Sequence, residues 1–269
     1  MLCADLPPSA CLCQTGRVTA CGGRSVTGNG HDGAGRELVL VHSSDLHLGA
    51  SPHGPDLAAL PQVLAAVRAV GADVLLLAGD IFDHNRVPLR LLDAVARALA
   101  DAAIPVVILP GNHDCLAPGS VYRRGGLSDP PNVYVLGVTH DETVVLPDLD
   151  LEIWGRPHLD YADMSPLAGA HPRSRPERRH VTTAHGHWVS GPHDHHRSWL
   201  IHPQELAALD TDYVALGHWE RAARVGDGAV PAYYSGSPEL ARSVNVVRFT
   251  AAGGLSVRRW FLDAAAGTE

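Results

Sequence analysis

The sequence predicts an α/β fold in which short buried strands alternate with amphipathic helices. Two segments, 55–70 and 88–100, separate three continuous apolar runs at 37–43, 74–78 and 104–109. Apolar residues recur every three to four positions in the two helical segments, whereas the continuous runs are typical of strands covered on both faces. A strand–helix–strand–helix–strand order favours a parallel sheet with right-handed crossovers.

Length and composition fit a soluble globular chain. A chain of 269 residues with 45% hydrophobic residues can bury one sizeable core. No apolar run reaches the roughly 18–20 residues that span a bilayer, and the first residues lack the basic and apolar regions of a secretory signal. We therefore expect no membrane association and a cytoplasmic location.

The first 35 residues differ in composition from the rest. They are rich in Gly, Ser, Thr and Cys, and they show no apolar period. Four of the five cysteines lie in this segment, at a spacing that matches no common zinc module. We predict a disordered leader over 1–35 and a folded domain over 36–263.

The charge pattern is acidic, with one basic cluster. The formal net charge is −8, and all 21 basic residues are Arg. An acidic total does not favour broad electrostatic capture of nucleic acid. The cluster lies at 173–179, where a solvated loop is the simpler interpretation. The alternative is that Arg178 and Arg179 contact substrate phosphates.

Metal-ligand side chains follow the first two strands. Asp45 and His47 come after the first run, and residues two apart in an extended strand point the same way. Asp80 follows Gly79 at the carboxyl end of the second strand, where open α/β sheets place their ligands, and its two oxygens can bridge two cations. Asp83 is interpreted as a residue behind the ligands or as a cap of the following helix.

The third strand runs into a Pro-Gly turn that carries three functional candidates, Asn112, His113 and Asp114. Asn112 can bind a metal. His113 can donate a hydrogen bond to a phosphate or a proton to a leaving oxygen. Asp114 is expected to hold His113 as an imidazolium through its opposite charge.

The second half of the chain reads as shorter strands. We predict them at 133–138, 143–146, 149–154, 180–184, 212–216 and 231–235, followed by an antiparallel pair at 244–249 and 255–261. His185 follows the fourth of these strands, with His187 as an alternative ligand. His218 and Glu220 follow the fifth.

Donors at successive strand ends therefore predict a metal centre. The candidate ligands are Asp45, His47, Asp80, Asn112, His185, His218 and Glu220. Mixed oxygen and nitrogen ligands suit Mn, Fe or Zn better than Ca or a pure Mg site. Two divalent ions that share a carboxylate lie roughly 3.5–4 Å apart, and a water that bridges them can attack phosphorus.

The order of these motifs resembles that of calcineurin-like metallophosphoesterases. The matching runs are Asp45-Leu46-His47, Gly79-Asp80, Gly111-Asn112-His113-Asp114, His185-Gly186-His187 and Gly217-His218, within about 37–262. The resemblance implies a four-layer α/β/β/α sandwich of two mixed sheets flanked by helices. It also implies two metal ions that share Asp80, with His113 as the acid and His187 near the substrate. Asp45 and His47 complete one site, and Asn112, His185 and His218 the other.

Within that family, the segments 79–83 and 234–239 resemble the DNA-repair exonucleases of the Mre11/SbcD/YhaO group. Two features depart from the pattern. Glu220 stands where the family usually has a second His. If Glu220 binds the first metal, it adds a negative charge and favours Mn or Fe over Zn. The alternative is that Glu220 is not a ligand and water occupies that coordination position. The roughly 30 residues after Pro238 are too few for a capping domain or for a segment that binds an ATPase partner.

The sequence thus predicts a two-metal-dependent phosphoester hydrolase, a phosphodiesterase or phosphatase that could include DNA-exonuclease-like activity. In this hypothesis a metal-bridging water attacks phosphorus and His113 assists the leaving group. The alternative is a non-catalytic binding or scaffold protein with the same fold. The intact His113-Asp114 pair argues against that alternative, and Glu220 argues slightly for it.

Overall fold

Two six-stranded sheets form the framework of the protein, as seen in a computed structural model that describes residues 36–50, 57 and 59–262. The predicted leader over 1–35 lies outside the described residues, as do 51–56, 58 and 263–269. The structure therefore does not test the prediction of a disordered leader.

The first half of the described chain alternates strands with helices. Its elements are β1 (Leu38–Ser43), α1 (Ala59–Val70), β2 (Val74–Ala78), α2 (Leu89–Ala100), β3 (Val106–Leu109) and β4 (Val133–Val135). β4 is shorter than predicted because the chain turns at Gly137, whose φ of +77° suits glycine.

The second half is dominated by strands. Its elements are β5 (Thr143–Leu146), β6 (Leu151–Gly155), β7 (Arg179–His185), β8 (His187–Trp188), β9 (Leu200–Ile201), α3 (Pro203–Ala207), β10 (Tyr213–Gly217), β11 (Ala223–Val225), β12 (Ala232–Tyr234), β13 (Ser243–Phe249) and β14 (Leu255–Phe261). The sequence missed four of them. β8, β9 and β11 have only two or three residues each and α3 has five, so none offers an apolar period to detect.

Both large sheets are mixed, as predicted. The first has the order β14-β13-β1-β2-β3-β4. Its strands β1 to β4 are parallel to one another, and β13 is antiparallel to both of its neighbours, β1 and β14. The second has the order β11-β12-β10-β7-β6-β5, with a parallel centre and antiparallel edges. The parallel strands of each sheet therefore have their carboxyl ends on the same side of that sheet.

Side-chain alternation along the strands builds the layers. In β1 and β2, Val39 and Leu75 pack with α1 and α2 on the outer face of the first sheet. Leu40 and Leu76, one position further along, pack between the two sheets against residues of β5, β6, β7 and β10. The outer face of the second sheet is covered by α3, β8, β9 and irregular segments. The four-layer prediction is therefore confirmed, with few helices in the fourth layer.

Membrane-spanning helices are absent from the described residues. None of the helices there combines the length and the apolar character that crossing a bilayer requires.

Candidate active site

Side chains from both sheets converge where the parallel strands end. One ligand atom each from Asp45, Asp80 and His185 lies within 4.8 Å of the other two, and all three residues are buried. His185 Nε2 is 3.1 Å from Asp80 Oδ2 and 3.0 Å from Asn112 Oδ1. Residues that lie far apart in the chain thus surround one point.

The orientation of His185 makes this point suitable for a cation. Its Nδ1–H donates to the carbonyl of Ala78 at 2.9 Å, so a neutral ring presents the Nε2 lone pair to the oxygens of Asp80 and Asn112. A proton on Nε2 or a metal ion at the same point relieves the repulsion between these acceptors. Such an outer hydrogen bond to a backbone carbonyl is typical of metal-binding histidines.

The electrostatics of His185 and Asp80 agree with this arrangement. Burial by itself lowers the pKa of His185, but the charges of Asp80 and Asp45 raise it to about 9. Burial disfavours the ionised form of Asp80, yet His185 and His113 hold the pKa of that carboxyl well below its usual range. The site therefore keeps Asp80 ionised and attracts positive charge.

The backbone at the candidate ligands is strained. Asp45, His47, Asp80 and His218 have φ values of 55°, 45°, 53° and 101°, in a region that non-glycine residues rarely adopt. They account for half of the eight such residues among those described. Strained backbone of this kind clusters at functional sites, because the surrounding structure must hold it in place.

This strain corrects one argument from the sequence. Asp45 and His47 follow the end of β1 in a left-handed loop, and not in an extended strand that would point them the same way. His47 instead belongs to a second group, with Asp83 and His113, whose ligand atoms lie within 4.8 Å of one another. Asp80 lies between the two groups, because its Oδ1 accepts a hydrogen bond from the backbone N–H of His113 at 2.9 Å.

The second group places Asp83 between two histidine rings. His47 Nδ1 is 3.3 Å from Asp83 Oδ1, and His113 Nδ1 donates to the Asp83 carbonyl at 2.8 Å. The helix α2 begins after Pro88 without any side-chain cap, which rules out the interpretation of Asp83 as its cap. Asp83 is therefore part of the candidate site.

The structure contradicts the prediction that Asp114 holds His113. Both Asp114 oxygens are taken by other donors, which are the backbone N–H groups of Gly111, Ile81 and Phe82 and the hydroxyl of Tyr122, at 2.6–3.1 Å. Burial and the nearby charge of Asp80 raise the pKa of Asp114 to about 6. Asp114 ties the loop after β3 to the loop after β2, and so positions both sets of ligands.

His218 lies beside the first group. Its backbone N–H donates to both carboxylate oxygens of Asp45 at 3.1 Å, and its ring centroid is 5.4 Å from that of His185. Burial and the charge of His185 lower the pKa of His218 to about 3. It is therefore neutral at neutral pH, which is the form that binds metals.

His187 has no nitrogen left for a metal. The indole N–H of Trp219 donates to its Nδ1 at 3.2 Å, which requires a lone pair on that atom. Its Nε2 is 3.2 Å from Asp194 Oδ1 and must carry the proton. The ring lies 6.0 Å from that of His218, so the structure makes His187 a neighbour of the site and supports the choice of His185 as the ligand.

Glu220 belongs to neither of the two groups of candidate ligands that the described residues form. Its side chain is exposed, while its carbonyl accepts a hydrogen bond from the N–H of Ser237 at 3.0 Å. Because this side chain is exposed, the carboxylate does not take the buried position expected of a second histidine ligand.

The prediction that Arg178 and Arg179 contact the substrate is wrong for this site. Arg179 begins β7 and His185 ends it, a separation of about 20 Å along an extended strand. Arg178 lies 3.5 Å from the buried carboxylate of Glu152, and Arg179 donates to the carbonyl of Leu149. These arginines compensate acidic and carbonyl groups at the opposite edge of the sheet.

His158 is a buried neighbour of the site that the sequence analysis missed. Its Nε2–H donates to the carbonyl of His185 at 2.8 Å, and its ring packs against the rings of His185 and Trp199. Burial and the charge of His185 lower its pKa to about 4. A signal was present, because His158 follows the end of β6 just as the predicted ligands follow their strands.

A serine pair also supports the site. Ser44 Oγ donates to Asp45 Oδ2 at 2.5 Å and lies 2.9 Å from Ser235 Oγ, which follows β12. The contact fixes the Asp45 carboxylate from the second sheet. No sequence pattern pairs two serines that are 191 residues apart.

A recess of about 900 Å³ opens beside the second group. Its lining includes Asp83, Asn112 and His113 as well as Arg86, Tyr161 and Trp199. His113 is therefore accessible from this recess, and 44% of its side chain is exposed. The recess provides space for a substrate next to both groups of candidate ligands.

Comparisons with known proteins agree with this geometry. The model of the calcineurin-like phosphoesterase family matches residues 38–222, more than half of the chain. The chain is 38% identical to the DNA double-strand break repair protein Mre11 of Aeropyrum pernix over 84 residues. That stretch covers 28% of this chain and 20% of the Mre11 protein. Over 129 residues the chain is 33% identical to the UDP-2,3-diacylglucosamine hydrolase of Stenotrophomonas maltophilia, 45% of each chain.

The chain thus spans less than half the length of either relative. Among solved structures, the protein TT1561 of Thermus thermophilus is similar with a TM-score of 0.55 and 15% identity, over 82% of this chain and 98% of that one. A likeness at this identity concerns the fold alone. Because the family match covers β1 through β10 and every candidate ligand up to His218, the chain belongs to the calcineurin-like phosphoesterase family.

Proposed function

We propose that the protein is a two-metal-dependent phosphoester hydrolase. The observation that carries the proposal is the convergence of Asp45, Asp80, Asn112 and His185 on one point, with His47, Asp83 and His113 beside it. The donor set is rich in carboxylates and imidazoles, and it fits divalent ions such as Mn or Fe, with Zn as a third candidate.

The proposed ligands divide into two sets that share Asp80. Following the family pattern, we assign Asp45 and His47 to one set and Asn112, His185 and His218 to the other. In the structure an Asp45 oxygen lies with Asp80 and His185, and His47 lies with Asp83 and His113. The placement of Asp80 supports its bridging role, because its Oδ2 faces His185 while its Oδ1 faces the loop of His113. When bound, divalent ions supply Lewis acidity that polarises a phosphoryl oxygen and lowers the pKa of an attacking water.

His113 is proposed to protonate the leaving oxygen. Its Nδ1–H is held by the Asp83 carbonyl at 2.8 Å, which leaves Nε2 as the atom that can face a substrate. The Asp83 carboxylate lies 4.0 Å from the same Nδ1 and complements a positively charged ring. A protonated His113 can therefore donate its Nε2 proton as the phosphoester bond breaks.

Metal analysis combined with a hydrolysis assay tests this function. The purified protein is expected to bind two equivalents of Mn and to hydrolyse bis(p-nitrophenyl) phosphate or p-nitrophenyl phosphate only when the metal is present. A chelator should abolish turnover, and added Mn should restore it. Stoichiometric metal binding without turnover of either ester would favour the scaffold alternative instead.

Cleavage of DNA is a more specific proposal, because it requires that the hydrolase accept a polymeric substrate. The similarity to an Mre11 protein covers only 28% of this chain, and the net charge of −8 gives little general attraction for a polyanion. Digestion of single-stranded and double-stranded DNA in Mn, beside the aryl esters, would show whether polymers are substrates.

A further inference from the structure

The recess beside His113 has the dimensions of a small-molecule site. Its volume of about 900 Å³ falls within the range of roughly 300–1,000 Å³ that is usual for ligand pockets. Asn112 and His113 are among its lining residues, so a ligand bound there can place a phosphoester beside the candidate catalytic residues. A recess of this size suits a ligand on the scale of a single nucleotide.

Tyr161 offers an aromatic surface in this recess. Its side chain is 62% exposed, and its hydroxyl accepts a hydrogen bond from Asn85 Nδ2 at 3.3 Å. Asn85 is buried and is itself held by the Cys115 carbonyl and the Val121 N–H, both at 2.9 Å. The ring is therefore anchored at one end. Within the described part of the chain, no ring or guanidinium packs on its face.

Trp199 lies between the segment that carries Tyr161 and the candidate ligand His218. Its indole N–H donates to the carbonyl of Ala162 at 3.1 Å, and its ring lies 5.8 Å from that of His218. Its φ of 55° is strained for a bulky residue, which indicates that the surrounding contacts fix it there. Trp199 thus links the residue after Tyr161 to the candidate ligand His218.

Arg86 supplies a positive charge to the same recess. It is exposed, and its guanidinium makes no ion pair with any residue that the structure describes. The other arginine that lines the recess, Arg124, already donates to the carbonyls of Asn85, Val87 and Gly119. Arg86 is therefore the lining arginine that can bind a phosphate oxygen.

We propose that this recess selects phosphoesters that carry a nucleobase. The base stacks on Tyr161, Arg86 binds a phosphate oxygen, and the scissile phosphate lies at Asn112 and His113. The inference rests on the proposed hydrolase function and adds the substrate class to it. Stacking of a base on an aromatic side chain is sequence-tolerant and is worth about 1–3 kcal/mol, or at least about fivefold in affinity.

Calorimetric titration of the Mn-loaded protein with AMP and with ribose 5-phosphate tests the inference. The two ligands share a phosphate and a sugar, and they differ only in the base. We expect AMP to bind about tenfold more tightly. Tyr161→Ala should bring the two affinities together without changing that for ribose 5-phosphate, and Tyr161→Phe should keep the difference. Chromatography after each titration shows whether the ligands remain intact. If they are hydrolysed, kcat/KM for AMP and for ribose 5-phosphate is compared instead, and the same preference for AMP is expected.

Two further variants separate base binding from other effects. Arg86→Ala should weaken both ligands by a similar factor, because both carry the phosphate. Phe261→Ala removes a second exposed aromatic ring, on β14, and should change neither affinity. Equal affinity of the wild type for AMP and ribose 5-phosphate would overturn the inference. So would failure to bind either ligand, an unchanged preference in Tyr161→Ala, or affinity that climbs steadily with the length of an adenylate oligomer.

Hydrolysis of an aryl phosphodiester by the same preparation keeps the two proposals distinguishable. Turnover without any preference for AMP in the titration would leave the hydrolase function standing and remove only the nucleotide assignment. A clear preference for AMP without turnover would support the recess as a nucleotide site and contradict the hydrolase proposal.

Discussion

His113 and Asp114 are neighbours in sequence, yet they do different work. Asp114 is buried and accepts four hydrogen bonds from the loops, whereas His113 is exposed to the recess and contacts Asp83. The sequence could predict that both residues matter, because they stand at a strand end. It could not show which carboxylate faces His113, since Asp83 is 30 positions away and the approach depends on how two loops pack.

Replacement of His113 separates catalysis from metal binding. We expect His113→Ala to keep its Mn stoichiometry and to lose about 10²–10⁴-fold in kcat, which is the usual contribution of a general acid. Metal content and kcat on an aryl phosphodiester are measured on the same sample. His196→Ala, at an exposed histidine outside the site, serves as the control. Loss of metal together with activity would make His113 structural.

At the scale of elements, glycines permit the two sheets to meet. Gly79 directly follows β2 with a φ of +91°, and a side chain there would overlap the ring of His185 at the end of β7. Gly217 is similarly close to the carbonyl of Ala78. The metal-binding point exists because the carboxyl ends of strands from both sheets approach this closely, and the Gly-Asp and Gly-His patterns of the sequence mark that approach.

A pair of glycine substitutions tests this close approach. Gly71 also has a positive φ, of 63°, but nothing lies within 4 Å of the position that a Cβ would take. Gly71→Ala should therefore cost only the backbone strain, about 1–2 kcal/mol. Gly79→Ala should cost more and should also weaken Mn binding, because it displaces His185. Urea denaturation and Mn titration measure the two effects. Equal costs with unchanged metal affinity would refute the packing argument.

At the scale of the whole molecule, the sequence predicted the longer strands along the chain and the order of the donors that follow them, but not the order of the strands within each sheet. Apolar runs followed by Asp, Asn or His locate the site before any coordinates are known. The sequence could also have shown that Arg178 and Arg179 lie far from the site. They come at the amino end of a strand, whereas the candidate ligands follow the carboxyl ends of their strands. The place of Tyr161 could not be predicted, since the irregular segment that carries it has no period to fix its path.

A buried histidine between the two sheets makes the free energy of unfolding depend on pH. His42 on β1 is buried, its Nδ1 lies 2.9 Å from the hydroxyl of Tyr213 on β10, and burial lowers its pKa to about 3. Below the ordinary value of 6.5 the unfolded chain takes up a proton that the folded chain does not accept until about pH 3. The free energy of unfolding should therefore fall as the pH falls through this window.

The share of His42 in that dependence can be isolated. For the metal-free protein between about pH 6 and 5, we expect His42→Gln to reduce the slope of the unfolding free energy against pH by about 1 kcal/mol per pH unit. His196→Gln, at the exposed surface, should leave the slope unchanged. Urea denaturation at several pH values gives these slopes. An unaltered slope in His42→Gln would show that the buried ring is already able to bind the proton.

The central claim is that Asp80 joins two metal ions in one site. Anomalous diffraction from crystals soaked in Mn tests it directly, because the peaks locate the ions independently of any activity. We predict two peaks, both within coordination distance of the Asp80 carboxylate, one beside His47 and the other beside His185 and Asn112. A single peak, peaks remote from Asp80, or no peak after prolonged soaking would contradict the account.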